Sequence, residues 1–141
     1  MYYKPLLLPL LIQVFLTFLV WFRMYYQRIN EMKEKNIEPQ ELATREKGRQ
    51  LMIDSAASSD NLRNQFEMPV LFYLAIVLAL NLMWQDPMLV TFAWLFVAFR
   101  TAHAIVHTTY NAVMHRFWMY LFSCFALLGM WARLGWYIIS V

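Results

Sequence analysis

Residues 5–22 read PLLLPLLIQVFLTFLVWF, eighteen positions in which only Gln13 and Thr17 are polar. A helix needs about 20 mostly apolar residues to cross the hydrocarbon layer of a bilayer, so this run predicts a first membrane span over residues 5–26. A cleaved signal peptide fits less well. The basic flank shrinks to Lys4, the run is long for such a segment, and no small-x-small cleavage motif follows it. The composition extends the argument to the whole chain. Hydrophobic residues make up 61% and charged residues 15% of it, against roughly 45–50% and 25% in soluble domains. A chain of 141 residues cannot bury that excess inside itself. One integral membrane domain over residues 1–141 is the consequence. Cys124 is the single cysteine, which excludes an intrachain disulfide scaffold.

The remaining spans are predicted over residues 60–84, 88–112 and 117–139, giving an all-α, up-down bundle of four transmembrane helices. Gln85, Asp86 and Pro87 make the turn between the second and third, because proline disfavours helix in the residue before it. Residues 27–55 form a charged connector. Of the 21 formally charged side chains, seven basic and eight acidic ones lie between Arg28 and Glu67. The mixture of signs reads as a solvated segment and speaks against a nucleic-acid surface. Its lysines and arginines place it in the cytoplasm, as does Arg116 in the next loop on that side, while the opposite side carries little beyond Lys4. Tyr2, Tyr3, Trp21, Tyr25, Tyr26, Trp84, Trp118, Trp131, Trp136 and Tyr137 sit mostly near span ends, as interfacial aromatic residues do.

Charges inside spans are costly and ask for a reason. Arg100, His103, His107 and Asn111 recur at spacings of 3, 4 and 4 in the third span, so they share one helical face that should look inward. In the second span Asn61, Asn64 and Glu67 also share a face, with Arg63 beside it. A buried Glu67–Arg100 ion pair is the expected way to satisfy both charges. No metal site is expected at His103 and His107, since no cysteine or carboxylate accompanies them on that helix and HExxH is absent. GxGxxG, P-loop and GxSxG signatures are missing as well, and Cys124 lies deep in an apolar run, where it reads as packing. What remains is a cluster of Arg, Asn, Glu, His and Tyr at the cytoplasmic ends of helices. Guanidinium groups hold carboxylates bidentately and stay charged, so the cluster suits a small, multiply charged anion.

Two segments, DNLRNQFEMPVLFY at residues 60–73 and FRTAHAIVHTTYNAVMHRFWMY at residues 99–120, resemble the MAPEG family, the membrane-associated proteins in eicosanoid and glutathione metabolism. The likeness extends over nearly the whole chain in length, helix number and connector placement, and is greatest for bacterial-type members similar to microsomal glutathione transferase. The resemblance implies a homotrimer that holds glutathione in a U shape between neighbouring subunits near the cytoplasmic side. Carried over one position at a time, it makes Arg63, Asn64 and Glu67 glutathione contacts of the second helix, with Glu67 accepting from the amine. His103 and His107 become contacts of the third helix, Arg116 the arginine that stabilises the thiolate, and Tyr120 a contact one turn further. Arg28 is a looser match to a carboxylate-binding arginine, a role for which Arg23 competes. Asp60, His107 and Phe117 depart from the eicosanoid-type pattern, which directs the expectation away from prostaglandin or leukotriene synthesis.

The expected activity is therefore a glutathione-dependent transferase or peroxidase acting on a lipophilic small molecule drawn from membrane lipids, in a bacterial inner membrane. The competing expectation is a non-catalytic trimeric scaffold or lipid-binding protein of the same fold. A small exporter fits poorly, because its coupling needs a membrane-embedded carboxylate and Glu67 sits among cations near one edge.

Overall fold

The computed structural model describes residues 4–84 and 86–140. Tyr2, Tyr3, Gln85 and the side chain of Lys4 lie outside the described residues. Four helical segments are long and apolar enough to cross a membrane: Pro5–Glu34, Ala56–Asn81, Pro87–Thr108 and Val113–Ser140. The protein is an all-helical, multi-pass integral membrane protein.

Helix α1 spans Lys4–Glu34. At 1.5 Å per residue its 31 residues reach about 46 Å, well beyond a hydrocarbon layer of about 30 Å. The helix thus runs eight residues past the end expected from sequence, and its last turns project from the membrane. Leu11, Phe15, Phe18 and Phe22, spaced 4, 3 and 4, form an exposed apolar stripe, whereas Leu16, Val20 and Met24 are buried against the bundle. The connector that follows is ordered. It contains a 3-10 turn over Pro39–Leu42 and a short helix α2 over Arg45–Leu51, begun by Thr44, whose hydroxyl accepts from the Lys47 N–H at 3.3 Å. The buried Glu31 carboxylate fastens the far end of the connector to α1, accepting from the Asp54 and Ser55 N–H groups at 2.9 Å each. Lys35 joins the clamp at 2.6 Å from Glu31 and 2.8 Å from Asp54. The Asp54 and Glu31 carboxylates push the lysine's pKa above its ordinary value.

The second span is two helices, α3 over Ala56–Asn64 and α4 over Met68–Asn81. Pro69 explains the break. Its nitrogen has no hydrogen for the Gln65 carbonyl, and its ring would strike that carbonyl in a continuous helix. The chain leaves α3 through tight bonds from the Gln65 N–H to the Leu62 carbonyl (3.0 Å) and from the Phe66 N–H to the Arg63 carbonyl (2.9 Å). The Asn64 carbonyl is left without a helical donor.

Helix α5 covers Pro87–Thr108 and α6 covers Val113–Ser140. Asp86 caps α5, accepting from the Met88 N–H at 3.2 Å. Two boundaries differ from the sequence expectation. Helix α5 stops at Thr108, and Asn111 lies exposed in the turn at φ 50°, a left-handed conformation that asparagine tolerates; it is not on the inward stripe. Helix α6 begins at Val113, which puts His115 and Arg116 in its first turn instead of in a loop. The apolar core lies between α4, α5 and α6, where the Phe72 and Phe96 rings stack at 4.5 Å and Ala75, Ala79, Ala93 and Ala126 let the backbones approach. A Cβ at Gly129 would lie 2.8 Å from Phe92 Cζ, so that glycine admits the ring against α6.

Candidate functional site

The inward stripe of α5 is buried as its spacing requires: Arg100 is 0%, His103 4% and His107 5% exposed. The partners of these side chains come from the two places where the other helices are interrupted or begin. At the α3–α4 break the free Asn64 carbonyl accepts from Arg100 Nη2, and Arg100 also lies 5.6 Å from the centre of the Tyr120 ring. Arg100 Nε and Nη1 have no hydrogen-bond partner among the described residues. At the start of α6 the Arg116 carbonyl can only accept, so His103 donates from Nδ1 at 3.0 Å. His103 Nε2 is then free to accept from Asn64 Nδ2 at 3.4 Å. Arg116 can only donate, so His107 accepts from Nη1 through Nε2 at 2.9 Å. Both imidazoles are accordingly neutral, with the proton on Nδ1.

Asn64, His103, His107, Arg116 and Tyr120 line one pocket of about 330 Å³, together with Asp60. Arg116 makes no ion pair among the described residues, and its Nε has no partner. It also stands at the positive end of the α6 dipole, where a cation raises the potential further. The pocket thus offers an uncompensated guanidinium and neutral imidazoles, with one carboxylate, Asp60, at its edge. Such a site favours a ligand that brings its own negative charge.

Other expected residues fall elsewhere. The Glu67–Arg100 ion pair does not form: Glu67 is exposed at the cap of α4, and Arg100 uses a backbone carbonyl. The break rotates Glu67 away from the face it would share with Asn64 in a continuous helix, and it does not line the pocket. Arg28 and Arg63 line a second cavity, beneath the connector. Arg23 is engaged by the fold, donating to the Thr108 carbonyl at the end of α5 at 2.7 Å. Sequence inspection missed a buried amide pair, in which Gln13 Nε2 donates to Gln65 Oε1 at 3.0 Å and ties α1 to the α3–α4 break. The available signal was Gln13 itself, a side chain that lipid would not accept.

The MAPEG family profile matches residues 6–136. The chain belongs to the MAPEG family. Neither a curated protein nor a solved structure matches it. MAPEG membership is consistent with glutathione-related transferase, peroxidase or related roles. The matched region covers the four spans from Leu6 to Trp136, the α3–α4 break and every residue of the Arg116 pocket.

Proposed function

We propose that this MAPEG protein binds glutathione in the Arg116 pocket and activates its thiol for attack on lipophilic electrophiles or hydroperoxides. The observation that carries the reading is Arg116 itself, a guanidinium that lines the pocket and makes no ion pair among the described residues. A free thiol has a pKa near 8.5 and is only a few per cent thiolate at neutral pH. A nearby guanidinium stabilises the thiolate and increases that fraction. Arginine keeps its proton at this pH, so its part is electrostatic and the thiol proton leaves to water. The thiolate sulfur then forms a bond to the electrophilic carbon while the leaving group departs with its electron pair. Asn64, His103, His107 and Tyr120 orient the tripeptide, and Asp60, the carboxylate lining the pocket, receives its amine.

The exposed Glu67 supports assembly with further copies. A carboxylate at a helix break in a membrane span needs a polar neighbour, which another protomer or a ligand held between protomers supplies. A homotrimer in a bacterial inner membrane, with Arg28, Arg63 and Glu67 meeting ligand across protomer boundaries, is the arrangement we infer. Calorimetric titration of the detergent-purified protein with glutathione tests the reading. Saturable binding that is weakened by Asn64→Ala is the expected result. No heat at millimolar glutathione would instead favour a non-catalytic scaffold or lipid-binding protein of this fold.

A further inference from the structure

The face that α3 turns to α1 is polar throughout. Ser55, Ser58, Asn61 and Gln65 recur at spacings of 3, 3 and 4 and are all buried, at positions where an inward helical face ordinarily carries apolar residues. Three of the four are tied to α1. The Ser55 N–H donates to Glu31 Oε2 at 2.9 Å, the Ser58 hydroxyl donates to Gln27 Oε1, and Gln65 Oε1 accepts from Gln13 Nε2 at 3.0 Å. Asn61 lies between Ser58 and Gln65 on that face and so looks at α1 as well. The buried residues of α1 between Gln13 and Gln27 are Leu16, Val20 and Met24, which offer it no side-chain hydrogen bond. Asn61 is 0% exposed, and neither its Oδ1 nor its Nδ2 has a partner among the described residues. The glutamine pair beside it is also incomplete, with Gln13 Oε1 and Gln65 Nε2 left over.

A buried amide atom without a partner costs at least a lost hydrogen bond, so four of them on facing sides of α1 and α3 ask for a ligand. Their inventory describes it. Asn61 Oδ1 and Gln13 Oε1 only accept, while Asn61 Nδ2 and Gln65 Nε2 only donate. None of them is charged, so a cation would leave the N–H groups unpaired and an anion would leave the carbonyls unpaired. A molecule that donates and accepts at one oxygen suits all four. The spacing agrees: residues one turn apart, as Asn61 and Gln65 are, have Cβ atoms about 5–6 Å apart, the reach of two hydrogen bonds meeting at one water. We propose that Gln13, Asn61 and Gln65 form a hydration site inside the bundle, holding ordered water between α1 and the α3–α4 break. A buried water makes about two to four hydrogen bonds, which these side chains supply. Gln65 reaches to α1, whereas its neighbour Asn64 bonds Arg100 and His103 of α5. The site thus braces the break from the α1 side, and none of its three side chains lines the Arg116 pocket.

X-ray radiolytic labelling of the detergent-purified full chain in oxygen-18 water, read residue by residue by mass spectrometry, tests the proposal. Hydroxyl radicals formed at a held water oxidise the side chains beside it. Leu16, one turn from Gln13 on the buried face of α1, should be labelled, whereas Phe72 and Ile76, fully buried in the apolar core, should not. Asn61→Leu removes two of the four unpartnered atoms and should lower the labelling of Leu16 by about tenfold, the loss expected when a bound water gives up hydrogen bonds of ordinary strength. The same variant should melt no higher than the wild type, because replacing a dry, unpaired amide by leucine would stabilise the fold and replacing a hydrated one does not. The readout needs no glutathione, so a failed titration at the Arg116 pocket has no bearing on it. If Asn61→Leu does not fold, a crystal structure of the wild type grown in lipidic mesophase, at a resolution that shows water, decides. Density within hydrogen-bond distance of Asn61 and of either glutamine is then the expected result. The proposal is overturned by an unlabelled Leu16 in the wild type, by equal labelling in Asn61→Leu, by a raised melting temperature in that variant, or by a map without density between these side chains.

Discussion

The two ends of this helical bundle treat their arginines in opposite ways. At the end near Trp84, Arg133 meets a carboxylate directly: its Nε and Nη2 both lie 2.7 Å from Asp86 Oδ2, while the other oxygen of Asp86 caps α5. The Trp84 and Tyr137 rings stack at 4.5 Å over the same end. Charge is neutralised there, and the geometry is complete without a ligand. At the opposite end Arg100 and Arg116 are bonded only to a carbonyl and a neutral imidazole, with donors to spare. A low-dielectric setting makes an uncompensated cation costly to keep. Its retention at one end and neutralisation at the other are the contrast on which the proposed ligand site rests.

The largest effect that would test this contrast is on turnover. Arg116→Ala should lower glutathione-dependent conversion of a model aryl halide by about 100-fold or more, the usual scale for losing a preorganised electrostatic contact, with the oligomeric state unchanged. A comparable loss in Arg133→Gln would break the contrast. Next comes the absent ion pair. Arg100→Met should cost about 1–3 kcal/mol in thermal stability by orphaning the Asn64 carbonyl, less than the 3–5 kcal/mol of a broken buried pair. A double-mutant cycle with Glu67→Gln should give coupling below about 0.5 kcal/mol; a larger coupling restores the pair.

Smaller still, Arg133→Gln should lower stability by about 1 kcal/mol, because the pair is partly solvated and Asp86 keeps its capping bond. The Lys35 clamp gives the mildest test. Its folded pKa is raised above the ordinary 10.5, so the stabilisation it gives is complete below that pH and fades as pH rises through the folded value. Limited proteolysis of the connector should accelerate only above about pH 10.5 in the wild type, and Lys35→Met should remove that rise.

Much of this was legible in the residues. Hydropathy alone indicated four helices long and apolar enough to cross a membrane, and spacings of 3 and 4 put Arg100, His103 and His107 on one buried face, because helical periodicity is local. The same periodicity misled where the helix stopped being continuous. Pro69 breaks the second span, so Glu67 turned outward and the Arg100 partner became a backbone carbonyl, which no side-chain pattern records. Arg23 and Arg28, five positions apart and so about 140° around α1, could not both face α5. Arg23 is the one that reaches the end of α5, through the Thr108 carbonyl. Arg45 and Arg49 were readable as charges but not as a cavity, since their convergence with Arg28 and Arg63 depends on how the connector folds back through Glu31. Asp60 looked like a departure from a familiar pattern, and the fold makes it the carboxylate shared by both cavities.

The central claim is that Arg116 is left uncompensated in order to hold a thiolate. Ultraviolet thiolate absorbance, recorded as glutathione is added to the detergent-solubilised protein, tests it most directly. The signal should grow to saturation in the wild type and in Arg133→Gln and be lost in Arg116→Ala. Undiminished thiolate in Arg116→Ala, or none in the wild type at saturating glutathione, would contradict the account.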